Sequence, residues 1–175
     1  MKAFLFREYL VIEKDVIIIG GGPAGLAAAV KLKEDGIDDV LILEREKAPG
    51  GILKQCIHDG FGLLRFKEAL SGPEYADKFI QKAIEKNVEI ETEATVIGLT
   101  KNKEVTAATR NGLKKYKAKA VILSMGCRER TRGAISIPGT RPAGIFTAGV
   151  AQSYINLNNL MVGKNIIILG SGDIG

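Results

Sequence analysis

The stretch Asp15-Val-Ile-Ile-Ile-Gly-Gly-Gly-Pro-Ala-Gly25 decides the fold. Residues 16–19 are a continuous run of β-branched apolar side chains that ends at glycine, which is typical of a strand buried in a parallel sheet. Pro23 then falls in the first turn of a helix, where its missing N–H has no partner to lose. We expect this helix to end near Asp35, before residues 40–43 repeat the buried-strand pattern. Strand, helix and strand within about 30 residues predict a right-handed βαβ unit.

Three glycines at this strand–helix junction point to a nucleotide. Gly20 lets the chain turn tightly off the strand, Gly22 leaves room for a pyrophosphate, and Gly25 allows close helix packing. The helix N-terminus offers N–H groups and a positive dipole end to phosphates. Glu44 ends the second strand, where a carboxylate accepts hydrogen bonds from ribose hydroxyls and repels a 2′-phosphate. The junction therefore predicts a dinucleotide site.

The rest of the chain predicts an α/β, Rossmann-like fold with a parallel sheet and a small antiparallel β-meander. We expect residues 120–123 to be buried beside 16–19 and 40–43, and Tyr75, Phe79, Ala83 and Ile84 to share the apolar face of one helix. The predicted helices are 74–86 and 148–160, and the further predicted strands are 88–91, Thr95–Leu99, Glu104–Thr109, 114–116, 119–124 and 165–169.

The composition is that of an ordinary globular protein, with 46% hydrophobic and 26% charged residues. A net charge of +5 with few aromatic residues and no basic amphipathic helix argues against nucleic-acid binding. No apolar run is long enough for membrane insertion, and no signal-peptide pattern is present. The two scattered cysteines, Cys56 and Cys127, suit a cytoplasmic location, and without a Cys/His cluster we expect no metal site.

A second Gly-x-Gly-x-x-Gly pattern, formed by Gly170, Gly172 and Gly175, follows the predicted strand 165–169. Two such fingerprints imply two nucleotide ligands. The first fingerprint with Glu44, the Pro49-Gly50-Gly51 turn, the Ser124-Met125-Gly126 turn and the second fingerprint together resemble flavoproteins with two dinucleotide-binding domains. These include thioredoxin reductases and other pyridine nucleotide–disulfide oxidoreductases. The strings GGILKQCIH (50–58), GCRER (126–130) and IFTAGVAQ (145–152) are similar to those of one bacterial branch. That branch contains the FAD-dependent oxidoreductases associated with glycerol-3-phosphate dehydrogenase and the larger subunits of sarcosine and opine oxidases.

The resemblance implies FAD at the first fingerprint and NAD(P)H at the second. It implies an N-terminal extension (1–14), an FAD-binding domain (15–160) without its C-terminal return segment, and the start of an NAD(P)-binding domain (161–175). We therefore expect a fragment of a longer oxidoreductase, whose uncovered last strand favours self-association into a homo-oligomer. The implied cofactor-binding residues are Gly20, Gly22, Pro23, Ala24, Gly25, Glu44, Arg45, Gly50, Gly51, Thr95, Val96, Ser124, Met125, Gly126, Gly170, Gly172 and Gly175.

The chain departs from this family in its cysteines. Family members of one type carry two cysteines after the first Gly-Gly turn, where this chain has only Cys56, and thioredoxin reductases carry a CxxC where residues 146–152 have none. We therefore expect electrons to pass between NAD(P)H, flavin and a small organic substrate or a partner subunit, without an internal redox disulfide. The alternative is a non-catalytic flavin- or nucleotide-binding subunit of a larger dehydrogenase complex.

Some side chains allow two interpretations. Cys56 and His58 are candidates for an activated thiolate with its base, or else are ordinary packing and hydrogen-bonding groups. The arginines at 128, 130, 132 and 141 either receive a nicotinamide phosphate or an acidic partner, or are solvated charges paired with Glu129. The lysines of the meander are interpreted as its solvated face.

Overall fold

The computed structural model describes residues 10–140 and 142–172 of the chain. The chain divides into two compact units. Of the described residues, one unit, here called the sheet unit, contains 10–51 and 74–126; the other, here called the loop unit, contains 52–73, 127–140 and 142–172.

The sheet unit is built on a single six-stranded sheet. Its strands are β1 (Val11–Ile19), β2 (Val40–Leu43), β3 (Glu89–Glu91), β4 (Thr95–Leu99), β5 (Glu104–Thr109) and β6 (Gly112–Leu123), with helix α1 (Pro23–Glu34) and most of helix α2 (Gly72–Glu85) between them. The strand order is β3-β2-β1-β6-β5-β4. β1 pairs in parallel with β2 and β6, and β5 pairs antiparallel with β4 and β6. The predicted Rossmann-like fold with an antiparallel meander is confirmed.

The centre of the sheet is the pair β1–β2. Ile17 lies beside Leu41 and Ile18 beside Ile42, and all four side chains are fully buried, as their unbroken apolar runs predict. Ile19, the last residue of β1, is in register with the last residues of both β2 and β6. The three parallel strands therefore end at one edge of the sheet, where the first glycine turn begins.

Each face of the β1–β2 pair is covered by a different part of the sheet unit. On one face Ile17 and Leu41 join a buried cluster that includes Tyr116 and Ala107 of the meander. Alternation along a strand directs Ile18 to the opposite face, and α1 packs against β1 and β2 with its buried residues Gly25, Leu26, Ala29 and Val30. Helix α1 is thereby fixed directly behind the glycine turn.

β6 is one strand of 12 residues, so the prediction of two separate strands, 114–116 and 119–124, is wrong. The link between them does not leave the sheet because Glu13 and Lys14 of β1 pair with Lys117 and Ala118. For the same reason β1 starts at Val11, and residues 11–14 belong to the sheet instead of to an N-terminal extension.

The predicted burial of residues 16–19 and 40–43 is confirmed, but that of 120–123 is wrong. Ala120 is exposed, and Leu123 is 57% exposed. The reason is that β5 pairs with β6 only as far as Lys117. Beyond this point β6 has β1 on one side and, among the described strands, an open edge on the other.

Helix α2 starts two residues before the predicted residue 74. Ala76, Phe79 and Ala83 form its buried face at the 3–4-residue spacing of an amphipathic helix. Tyr75 is half-buried, while Ile84 is 58% exposed and does not belong to this face. The reason is that Ile84 lies one residue, or about 100°, beyond Ala83 around the helix.

The loop unit has little regular structure. It contains most of a 3₁₀ helix (Gly51–Gln55) within a predicted loop, an antiparallel bridge between Phe61 and Leu70, and α3 (Ala148–Asn158). Residues 165–169 do not form the predicted strand: Ile167 is 98% exposed, and no described strand pairs with this segment. Without such a partner, its backbone groups cannot form a ladder.

Candidate dinucleotide-binding site

The first glycine turn joins β1 to α1 at the carboxyl edge of the sheet. Gly20 has a φ of +109°, which favours glycine, and its amide donates to the Leu43 carbonyl at 2.9 Å. Helix α1 begins at Pro23. The amides of Ala24 and Gly25 lie in its first turn, where the helix itself provides no acceptors. This arrangement is the one that binds an anion at a helix N-terminus.

Gly20 and Gly25 are required by packing. A Cβ atom on Gly25 would lie 2.0 Å from the Gly20 carbonyl oxygen and 2.7 Å from the Ser124 hydroxyl oxygen. A Cβ atom on Gly20 would lie 2.4 Å from the Ser124 carbonyl oxygen. The Ser124 hydroxyl is 2.9 Å from the Gly20 carbonyl oxygen and 3.1 Å from that of Ile19. The Ser124 hydroxyl thus supports the turn by binding backbone carbonyls at its start.

Gly22 is not required by packing. Its φ of −74° suits any residue, and the nearest atom to a Cβ at this position would be Gly51 Cα, 3.9 Å away. The loop that contains Gly51 lies against the turn, because the Gly50 amide donates to the Gly21 carbonyl at 2.8 Å. The surface at Gly22 therefore has room for a ligand to reach the backbone.

Glu44 is buried at the end of β2, with 5% of its surface exposed. Its Oε2 accepts a hydrogen bond from the Gly21 amide at 2.7 Å, and its Oε1 accepts one from the Glu46 amide at 2.8 Å. A carboxylate has about four acceptor positions. Two therefore remain for further donors, such as the two hydroxyls of a ribose.

The remaining predicted residues of the sheet unit lie near Glu44 or at the ends of strands. Thr95 and Val96 begin β4 directly after Ala94, whose amide donates to the Glu44 carbonyl at 2.9 Å. The other three are exposed: Arg45, which is ion-paired with Glu46, and Met125 and Gly126, which follow β6.

A set of polar contacts that the sequence did not predict joins Glu91, at the end of β3, to two residues of β6 in the meander. The buried Tyr116 hydroxyl donates to Glu91 Oε2 at 2.6 Å, and Lys114 Nζ donates to Glu91 Oε1 at 2.6 Å. Burial raises the pKa of Tyr116, and the hydrogen bond to Glu91 raises it further. The available signal was the alternation of polar and apolar residues along a strand. This alternation does not show that Tyr116 and Glu91, which are 25 residues apart, are in contact.

In the loop unit, Cys56 and His58 bond to different backbone groups. The Cys56 thiol donates to the Ile52 carbonyl at 3.5 Å, whereas His58 Nδ1 lies 3.1 Å from the Asp59 carbonyl oxygen. Gly72 packs against Cys56, since a Cβ there would lie 2.5 Å from the Cys56 carbonyl oxygen. Neither of these hydrogen bonds makes a thiolate–imidazole pair.

Glu129 is a second residue whose role the sequence did not reveal. Its carboxylate accepts hydrogen bonds from the Thr147 hydroxyl and from the amides of Gly149 and Val150, at the N-terminus of α3. Burial opposes the charged form, but these donors outweigh it and lower the pKa of Glu129. The predicted pairing with the neighbouring arginines is wrong for the described arginines, because the helix N-terminus supplies better-placed donors.

The second fingerprint is described only in part. Gly170 has a φ of +124°, and nothing lies within 4 Å of a Cβ built on Gly172. Gly175 lies outside the described residues, as does Arg141. The assignment of a second nucleotide to this segment stays a prediction.

A buried strand, a glycine turn, a helix N-terminus and a carboxylate at the tip of the next strand define a Rossmann-type dinucleotide-binding protein. Comparison with known proteins identifies the family within this class. The chain belongs to the pyridine nucleotide-disulphide oxidoreductase family, whose model matches residues 14–175. The predicted family is confirmed.

Two curated relatives cover 91% of this chain. An opine oxidase subunit of Agrobacterium tumefaciens (strain Ach5) is 27% identical over 171 residues, which are 32% of that protein. Thioredoxin reductase of Bacillus subtilis (strain 168) is 31% identical over 163 residues, 47% of its length. The chain therefore spans between a third and a half of these relatives.

Among solved structures, L-proline dehydrogenase from P. horikoshii matches with a TM-score of 0.69 and 24% identity, over 87% of this chain and 30% of that one. This likeness supports the fold. In the described residues no helix has the length and apolar character needed to cross a bilayer.

The family relationship indicates FAD and NAD(P)H as the cofactors, as predicted. Two observations indicate that the sheet unit fits the adenosine diphosphate half of such a cofactor. The backbone at Gly22 is open to approach, and Glu44 keeps acceptor capacity beyond its two amide bonds.

Proposed function

We propose that this chain is the dinucleotide-binding part of an FAD-dependent, NAD(P)H-linked oxidoreductase. The observation that carries the proposal is the buried Glu44 carboxylate, 2.7 Å from the Gly21 amide and next to a glycine turn that opens α1. This geometry supports a ribose acceptor at Glu44 beside a set of phosphate donors at the start of α1.

The residues divide the adenosine diphosphate group between them. The first-turn amides of Ala24 and Gly25 hold the pyrophosphate, Gly22 lets it approach, and Glu44 accepts from the ribose hydroxyls. Thr95 and Val96 would hold the adenine, Gly50 and Gly51 the ribityl and phosphate region, and Gly126 would approach the cofactor near its pyrophosphate. When bound, the flavin supplies the hydride chemistry, while the protein binds and orients it.

Electrons are proposed to reach a small organic substrate or a partner subunit directly. In the part of the chain that the structure describes, Cys56 and Cys127 are both free thiols. Their separation in sequence and the lack of a CxxC support a route without an internal dithiol. Free thiols also support a cytoplasmic location.

A second candidate is a flavin- or nucleotide-binding subunit without catalysis of its own. The similarity to a protein named as one subunit of an opine oxidase favours it. In that case the chain holds the nucleotide while a partner carries the reaction.

One experiment tests both candidates. The purified chain is saturated with FAD, dialysed, and its visible spectrum recorded before and after anaerobic addition of NADH or NADPH. Retained flavin bands that bleach with either nucleotide support the oxidoreductase. Retained bands that do not bleach support FAD binding by either candidate, a chain that retains no flavin but binds ADP supports the binding subunit, and a chain that does neither contradicts both.

A further inference from the structure

The backbone of Glu44 is held on both sides by one short segment, residues 91–94. The Glu44 amide donates to the Glu91 carbonyl at 2.9 Å, and the Glu44 carbonyl accepts from the Ala94 amide at 2.9 Å. The position of the Glu44 backbone, from which the carboxylate extends to the Gly21 and Glu46 amides, therefore depends on where this segment lies.

The segment is itself anchored from the meander by the side chain of Glu91. Each carboxylate oxygen of Glu91 has its own donor on β6, the Tyr116 hydroxyl and the Lys114 ammonium, both at 2.6 Å. Tyr116 is 1% exposed, so its ring is fixed in the core cluster, whereas Lys114 is half-buried. The phenol is thus the more rigid of the two anchors.

We infer that Tyr116 is a positioning residue for the ribose-binding carboxylate, acting through Glu91 on Glu44. The inference rests on the proposed function, since it assigns the ribose to Glu44. Without the phenol hydroxyl, a half-buried Glu91 oxygen loses its donor and the end of β3 is freer to move. Glu44 then samples more orientations, and its hydrogen bonds to the two ribose hydroxyls weaken. Contacts to the phosphates and the base do not depend on this relay.

The test compares ADP with 2′,3′-dideoxy-ADP, which lacks both ribose hydroxyls, by isothermal titration calorimetry on the full 175-residue chain. We expect the unmodified chain to prefer ADP by about tenfold or more, because even one of the two charge-assisted hydrogen bonds that dideoxy-ADP cannot form has this value. In Tyr116→Phe we expect this preference to fall to about twofold, through weaker ADP binding with dideoxy-ADP unchanged. A purely structural effect lowers both affinities together.

Tyr154→Phe is the matched control, because it removes the same atom from the loop unit and leaves the relay intact. If Tyr116→Phe does not fold, Lys114→Met removes the other donor to Glu91 and is measured in the same way. An unmodified chain that does not distinguish the two ligands overturns the ribose role of Glu44, and the inference with it. A chain that distinguishes them, with variants that do so equally well, overturns the inference alone.

Discussion

Glu44 and Gly21 are joined by a 2.7 Å hydrogen bond from the Gly21 amide to the Glu44 carboxylate. The bond connects the end of β2 to the turn after β1, so the proposed ribose acceptor and the proposed pyrophosphate donors are fixed relative to each other. A site ordered in this way loses little conformational entropy when a ligand binds.

Gly22→Ala and Gly25→Ala are expected to fail in different ways. Alanine at position 22 meets only Gly51 Cα at 3.9 Å, so the melting temperature should be nearly unchanged while FAD binding is lost to the added methyl group. Alanine at position 25 places a Cβ 2.0 Å from the Gly20 carbonyl oxygen, so the fold itself should be lost or strongly destabilised. Thermal unfolding and FAD titration of both variants measure this. Equal loss of stability in the two would show that Gly22 is a packing residue.

Glu44→Gln should lower FAD affinity about tenfold or more, because a charged acceptor is replaced by a neutral one and an amide N–H₂ is forced to face a backbone donor. Flavin content after exhaustive dialysis gives the measurement. Glu46→Gln is the control, since Glu46 is exposed and ion-paired with Arg45. Undiminished flavin retention by Glu44→Gln would argue against ribose binding at this carboxylate.

Ser124→Ala should destabilise the sheet unit by about 1 kcal/mol, since one hydroxyl that serves the Ile19 and Gly20 carbonyls is removed. Urea denaturation measures the free energy of unfolding, and Ser124→Thr, which keeps a hydroxyl, is the comparison. Full stability of the alanine variant would mean that Ser124 does not support the turn.

Acid should release the N-terminus of α3. The folded-state pKa of Glu129 is lowered from 4.5, so its stabilising effect is complete above pH 4.5 and is lost as the pH falls through the lower folded value. We expect the amides of Gly149 and Val150 to lose hydrogen-exchange protection in this range. Glu129→Gln should remove that pH dependence, at a cost of at most about 1 kcal/mol because solvent screens the exposed carboxylate. Protection that is independent of pH in the unmodified chain would contradict this capping role.

The features that the sequence predicted correctly are determined by residues close together along the chain. The buried runs of β1 and β2, the glycine turn and the position of Glu44 follow from local pattern and spacing. The incorrect predictions arise where residues distant in sequence determine the pairing or burial. The apolar residues of 120–123 have the pattern of a buried strand, yet the pairing of β5 with β6 extends only as far as Lys117 and leaves them at an edge. Glu129 caps a helix 20 residues away through Gly149, which no local pattern announces.

The single unbroken strand β6 has a consequence for how this chain can be recombined with others. Its first half pairs with β5, and its residues from Lys115 to Leu123 pair with β1. One residue inserted near Lys117 would turn every following side chain to the other face of the sheet. A chimera that exchanges the meander therefore needs its junctions outside Gly112–Leu123.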